Sequence, residues 1–251
     1  MKALWMQCKI EILRTFRNKL FIFFSLLMPV MFYYIFTNVI QVPQNGDAWK
    51  AHYLISMATF SIVGTALFSF GVRISQEKGQ GWTHLLKITP LPEGAYLTAK
   101  IIAQTVVNAF SILVIFIAGI LINHVELTVG QWIGAGLWLL LGVTPFLALG
   151  TVIGSIKKAD AAAGLANILN MSLAVIGGLW MPIEVFPKIL RTIGEWTPTY
   201  HFGSGAWDIV AGKSIGWENI AVLGGYFLIF VVISIYKKKT GSGINVREKE
   251  D

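Results

Sequence analysis

The sequence predicts an all-α integral membrane protein: six transmembrane helices, an N-terminal amphipathic interfacial helix, and short broken helices in the last extracellular loop. Three observations carry this. Of 251 residues, 55% are hydrophobic and 13% charged, about half the charged share of an ordinary soluble domain. The apolar residues gather into separate blocks, and the basic residues between those blocks alternate between many and few.

A helix needs about 20 apolar residues to cross the hydrocarbon core. Six stretches meet or approach that length: Leu20 to Ile40, Tyr53 to Val72, Ile101 to Ile122, Trp132 to Gly154, Ala161 to Met181 and Ile220 to Tyr236. None contains Asp, Glu, Lys, Arg or His. One central Lys or Arg would cost about 2.5 to 3.5 kcal/mol on insertion, against a gain of about 0.3 to 0.6 from each Leu, Ile, Phe or Val. Pro29 and Pro145 are expected to kink the first and fourth spans, and Asn167, Asn170 and Ser172 make the fifth the most polar.

Lys and Arg in the flanking segments set orientation. Sixteen lie in the N-terminal arm, the second and fourth loops and the tail, and four in the first, third and fifth loops. Both termini are therefore expected in the cytoplasm, in a cell (plasma) membrane protein. The chain reads as a single domain, with residues 1–19 an amphipathic helix, 20–236 the bundle and 237–251 a cytoplasmic tail. In residues 3–19, Trp5, Cys8, Ile12 and Phe16 recur at spacings of three and four, with Lys9, Glu11, Arg14 and Arg17 off that stripe. Such a helix rests on a membrane surface or on a partner protein. The run from Lys2 to Lys19 and the long apolar block after it do not resemble a cleaved signal peptide.

The net charge of +7 sits between spans, with no basic element interleaved with aromatics, so no nucleic-acid partner is expected. One cysteine, Cys8, permits neither an intramolecular disulfide nor a thiol metal cluster. The histidines, His52, His84, His124 and His201, fall in separate loops. His124 with Glu126 is the nearest approach to a ligand pair and reads as two solvated side chains, so no metal site is expected. Gly212-Lys213-Ser214 ends like a phosphate-binding loop, but Trp207 stands where the motif needs glycine. With no G-x-S-x-G elbow either, no catalytic residue is expected, and the chain is expected to bind no cofactor of its own.

No ionisable residue lies deep in a span, which argues against a proton-coupled carrier. Asn167 and Asn170, three apart, could line a passage or join helices. Gly130 with Gly134, and Gly150 with Gly154, have the spacing that permits close helix contact. The loop from Arg73 to Lys100 is long enough for a short helix around Gly81 to Ile88. Its apolar set Trp82, Leu85, Leu86 and Ile88, set among charges, suits docking onto a partner. In the loop after the fifth span, the prolines of Pro182 to Tyr200 break the chain into short helices.

In two loops the sequence resembles the ABC-2-type transporter permeases. In the second loop, Glu77, Lys78, Gly79, Leu85, Leu86 and Pro90 occupy the places of that family's acidic and basic pair, glycine, leucine pair and proline. After the fifth span, Gly177-Gly178-Leu179-Trp180-Met181-Pro182, Pro187, Ile193 and Pro198 resemble its G-x-x-x-P and later P-x-x-Y pattern, with Tyr200 one residue early. An arginine often found shortly afterwards is replaced by the neighbourhood of Trp207 and Asp208. The resemblance implies a half-transporter that pairs with a second permease, a copy or a paralogue, and with a separate ABC ATP-binding subunit that holds ATP and Mg. It further implies that Glu77, Lys78, Gly79, Trp82, Leu85 and Leu86 form the ATPase-coupling loop, and Gly178, Pro182, Pro187 and Pro198 an extracellular re-entrant region. The expected function is export of a hydrophobic or amphipathic compound such as a drug, antibiotic or lipid-like molecule. An ion-coupled secondary transporter and a non-transporting assembly factor are the alternatives.

Overall fold

Residues 2–40, 46–82 and 94–247 are described by the computed structural model, and among them every regular element is helical. Helix α1 (Lys2–Arg17) leads through Asn18 into α2 (Lys19–Tyr34). Asn18 makes the elbow, because its carboxamide oxygen accepts from Phe21 N at 3.3 Å and caps the new helix. A π turn, Ile35–Val39, completes the first span. The second span, Asp47–Gly79, joins α3 (Asp47–Thr65), a π segment (Ala66–Val72) and α4 (Arg73–Gly79). The third is α5 (Ala95–Asn123), ended by His124 in the left-handed region at φ 51°.

The fourth span breaks into α6 (Val129–Gly142) and α7 (Thr144–Ile153). Thr128 and Gln131 form a reciprocal capping box at the start of α6, and Pro145 at the head of α7 accounts for the break. Pro29, by contrast, lies inside an unbroken α2, and the irregularity in that span comes later, at the π turn. The fifth span is α8 (Ala159–Ile176). It stops short of the expected Met181 because Gly177 and Gly178 turn the chain, Gly178 at φ 77°. A 3₁₀ turn (Ile183–Val185), α9 (Lys188–Glu195) and α10 (Pro198–Val210) follow, and α11 (Trp217–Arg247) carries the sixth span. The segment expected as a tail from residue 237 on is therefore helical as far as Arg247.

The second span is the axis of the bundle. Leu54, Ile55, Met57, Ala58, Ile62 and Leu67 on it are fully buried. Its π segment packs on α7, which in turn packs on α11. The crossing is close because it is made of glycines. A Cβ on Gly150 would stand 2.7 Å from Ala66 O, one on Gly71 2.8 Å from Gly150 O, and one on Gly154 2.7 Å from Ile74 Cγ2. The Gly150/Gly154 spacing thus marks a real helix contact. Gly130 meets only its own cap residue, Thr128.

The first, fifth and sixth spans leave much of their surface uncovered, with Leu20, Ile168 and Leu228 all exposed. In water such a surface would aggregate. In hydrocarbon it costs nothing, because lipid tails are as apolar as leucine.

Candidate functional site

The polar centre of the molecule lies at one end of the bundle, where α1, the end of α4 and the start of α5 meet. The segment read as a loop from Arg73 to Lys100 begins and ends as helix: α4 runs to Gly79 and α5 starts at Ala95. The charges read as loop charges are therefore presented on helix faces. Arg73 and Glu77 are one turn apart on α4, Tyr96 and Lys100 one turn apart on α5, and Glu11, Arg14 and Thr15 share a face of α1.

Glu77 is the hub. One carboxylate oxygen accepts from Arg14 Nη1 at 2.8 Å and from Lys100 Nζ at 2.9 Å, with Arg73 Nε 3.4 Å away. The other accepts a short hydrogen bond from the Tyr96 hydroxyl. Lys100 Nζ reaches Glu11 at 3.2 and 3.3 Å. Arg73 Nη2 pairs with Glu11 by charge at 3.1 Å without an aligned hydrogen bond, while its Nη1 donates to Thr15 Oγ1 at 2.6 Å. Glu77, Lys100 and Glu11 are only 2%, 4% and 4% exposed. Charges this deeply buried persist because each is paired several times over.

The cluster clasps α1 onto the base of the second and third spans. Its burial reverses part of the sequence reading of α1. Glu11 was placed off the apolar stripe, yet it faces inward with Cys8 and Thr15, while Trp5, Met6, Ile10 and Leu13 are exposed beside Lys9 and Arg17. Ionic pairing draws Glu11 to the inner face, which Cys8, Ile12 and Phe16 of the apolar stripe share in part. Sequence reasoning missed Arg14, Arg73, Tyr96 and Lys100 as partners of Glu77, and Glu11 as the second acid of the cluster. The spacing of four in Arg73/Glu77 and in Tyr96/Lys100 was the available signal.

Of the other predicted coupling residues, Gly79 closes α4 and Trp82 lies under the Arg14 guanidinium at 5.4 Å, a cation–π distance. Gly81 turns the chain between them at φ 77°. Lys78 is exposed on α4. Leu85, Leu86 and most of the helix expected around Gly81 to Ile88 lie outside the described residues.

Asn167 and Asn170 do not share an environment. Asn167 is exposed, whereas Asn170 is buried, its amide beside Gly64 and its Oδ1 without a hydrogen-bond partner. A larger polar seam, not anticipated, joins the second and third spans. Asn108 Oδ1 accepts from Thr65 Oγ1 at 2.9 Å and from Gln104 Nε2 at 2.8 Å, directly before the π segment.

At the opposite end, Pro182 and Pro187 flank the 3₁₀ turn, and Pro198 opens α10 behind the Thr197 cap. This region is tied into the spans. Thr199 Oγ1 donates to Leu173 O at 2.8 Å, Trp138 Nε1 to Phe202 O at 2.8 Å, Tyr53 OH to Trp180 O at 3.2 Å and Gln131 Nε2 to Val210 O at 2.7 Å. Gly177 has no room for a side chain, since its Cβ would collide with Thr199. Burial, with Glu195 and Glu184 nearby, raises the pKa of the Tyr200 phenol.

The profile of the family described as "ABC-2 family transporter protein" matches residues 37–236. The chain belongs to this ABC-2 family. It is also 47% identical over 241 residues to "Putative transport permease YvfS" of Bacillus subtilis (strain 168), covering 95% of this chain and 98% of that protein. As a member of the ABC-2 family it is a membrane permease of the ABC transporter class, and its six apolar helices make it a multi-pass membrane protein. The matched region runs from the π turn of the first span through all the others. It takes in Arg73, Glu77, Tyr96 and Lys100, while Glu11 and Arg14 precede it.

Proposed function

We propose that this chain is the membrane subunit of an ATP-driven exporter that moves a hydrophobic or amphipathic compound out of the cell. Both termini lie in the cytoplasm of a plasma-membrane protein. An ABC ATP-binding subunit docks on the segment that follows Gly79, and ATP and Mg are bound there rather than on this chain. A second permease, a copy or a paralogue, completes the transporter.

The observation that carries the reading is the buried clasp at the root of that segment. A push on residues 80–94 enters α4 and α5 directly, and through Glu77 it also enters α1. Two helix ends and an interfacial helix held by paired charges move as one unit, which is what a drive from outside the membrane requires. The π segment above α4 adds an irregular turn at which the second span can change its tilt. Among the described residues the buried carboxylates and the buried ammonium lie at one end of the bundle, so no mid-membrane carboxylate or lysine speaks for the ion-coupled alternative.

The test is co-expression with the ABC ATP-binding subunit encoded beside it. The two are expected to copurify and to hydrolyse Mg-ATP faster together than the soluble subunit does alone. Failure to associate would remove the reading.

A further inference from the structure

The elbow between α1 and α2 holds a groove of about 490 Å³ that opens toward the bilayer. Its floor and walls come from Phe16 on α1, Leu26 and Val30 on α2, and Phe110 and Val114 on α5, with Phe16 edge-on to Phe110 at 5.3 Å between ring centroids. Among the described residues the only charged side chain lining it is Lys19, at its mouth. Lys19 makes no ion pair among the described residues.

We infer that this groove binds one phospholipid with an anionic headgroup, drawn from the leaflet on the side of the chain termini. The depth fits. Val30 lies eleven residues beyond Lys19 on one helix, which at about 1.5 Å per residue is about 16 Å, close to half of the roughly 30 Å hydrocarbon core. An acyl chain of a single leaflet therefore fills the groove while its phosphate reaches Lys19. The charge fits as well. Arg17 is exposed one residue before the elbow, and among the described residues no acidic side chain lines the groove. The exposed face of α1, where Trp5 and Leu13 alternate with Lys9 and Arg17, suits a headgroup layer. This inference is independent of what drives transport.

The test reconstitutes the full chain in vesicles containing trace phosphatidylglycerol or phosphatidylcholine, each with a photoreactive group on an acyl chain, and maps the labelled residues. The phosphatidylglycerol probe is expected to label the stretch around Leu26 and Phe110 about five-fold more than the phosphatidylcholine probe, the ratio that about 1 kcal/mol from one basic residue gives. Lys19→Glu should abolish that preference and leave thermal stability in detergent unchanged. Val114→Trp, which fills the groove without touching the core, should lower labelling by both probes. Equal labelling by the two probes, no stronger here than at exposed Leu228 on α11, would overturn the inference. So would ready disulfide dimerisation of Phe23→Cys, which would mean that a second copy of this chain covers the groove.

Discussion

Glu77 and Lys100, from different spans, meet at 2.9 Å in a site almost closed to solvent. Each has a second opposite charge within reach: Glu77 has Arg14 at 2.8 Å, and Lys100 has Glu11 at 3.2 Å. Removing either acid leaves the other alone to balance both Lys100 and Arg73.

Glu77→Ala should therefore cost about 3 to 5 kcal/mol, the usual penalty for breaking a buried pair, read by equilibrium unfolding in mild detergent. Adding Lys100→Met should recover part of that loss, because one of the buried cations left to share Glu11 is gone. Glu77→Lys should be worse than Glu77→Ala, since it adds a cation beside Arg14, Arg73 and Lys100. Additive single and double variants would show that the two residues do not interact.

Glycine substitutions should split by location. Gly150→Ala drives a methyl into the backbone of the π segment and should destabilise by about 1 to 3 kcal/mol, as overpacking does. Gly164→Ala meets nothing within 4 Å and should leave the unfolding midpoint unchanged or slightly raised. Equal effects at the two sites would contradict the glycine-lined crossing.

At the far end, Thr199→Val removes the hydroxyl's contacts with Leu173 O, which Gly177 N also satisfies at 3.0 Å, and with Thr197 Oγ1 at 3.3 Å. It should cost about 1 kcal/mol. Gly177→Ala should cost more, because the added methyl collides with Thr199 and with Leu173 O. Thermal denaturation of both variants, side by side, orders them.

Asn170 offers an acceptor that finds no donor among the described residues. Replacing an unsatisfied buried polar group with an apolar one of similar size is near neutral or stabilising, so Asn170→Leu should keep or raise the melting temperature. A stable Asn170→Leu protein with altered transport would place Asn170 on the path of the transported compound. A clear loss of stability would instead make it a helix contact.

The six spans were legible because hydrocarbon tolerates no unpaired charge, so uncharged blocks mark them. Their ends were not, and for one reason. Arg73, Glu77 and Lys100 look like loop charges until their partners are known, and pairing lets helix continue through them to Gly79 on one side and from Ala95 on the other. Those partners are far apart in sequence, which no local pattern records. Helix α1 was legible as a helix, but its buried face was not, because Glu11 is drawn inward by Lys100 and Arg73. The Gly150/Gly154 pair was visible as a motif, and only Gly71 opposite it gave it meaning.

The clasp as the link between nucleotide and bundle is tested most directly by outer-end accessibility. In a Cys8→Ala background, a cysteine is placed at exposed Val185, and its maleimide labelling rate is measured in vesicles holding the permease and its ATP-binding subunit. Trapping with Mg-ATP and vanadate should change that rate in the otherwise unaltered chain and leave it unchanged in Glu77→Gln at equal bound ATP-binding subunit. A Glu77→Gln protein whose labelling responds to trapping in full would contradict the account.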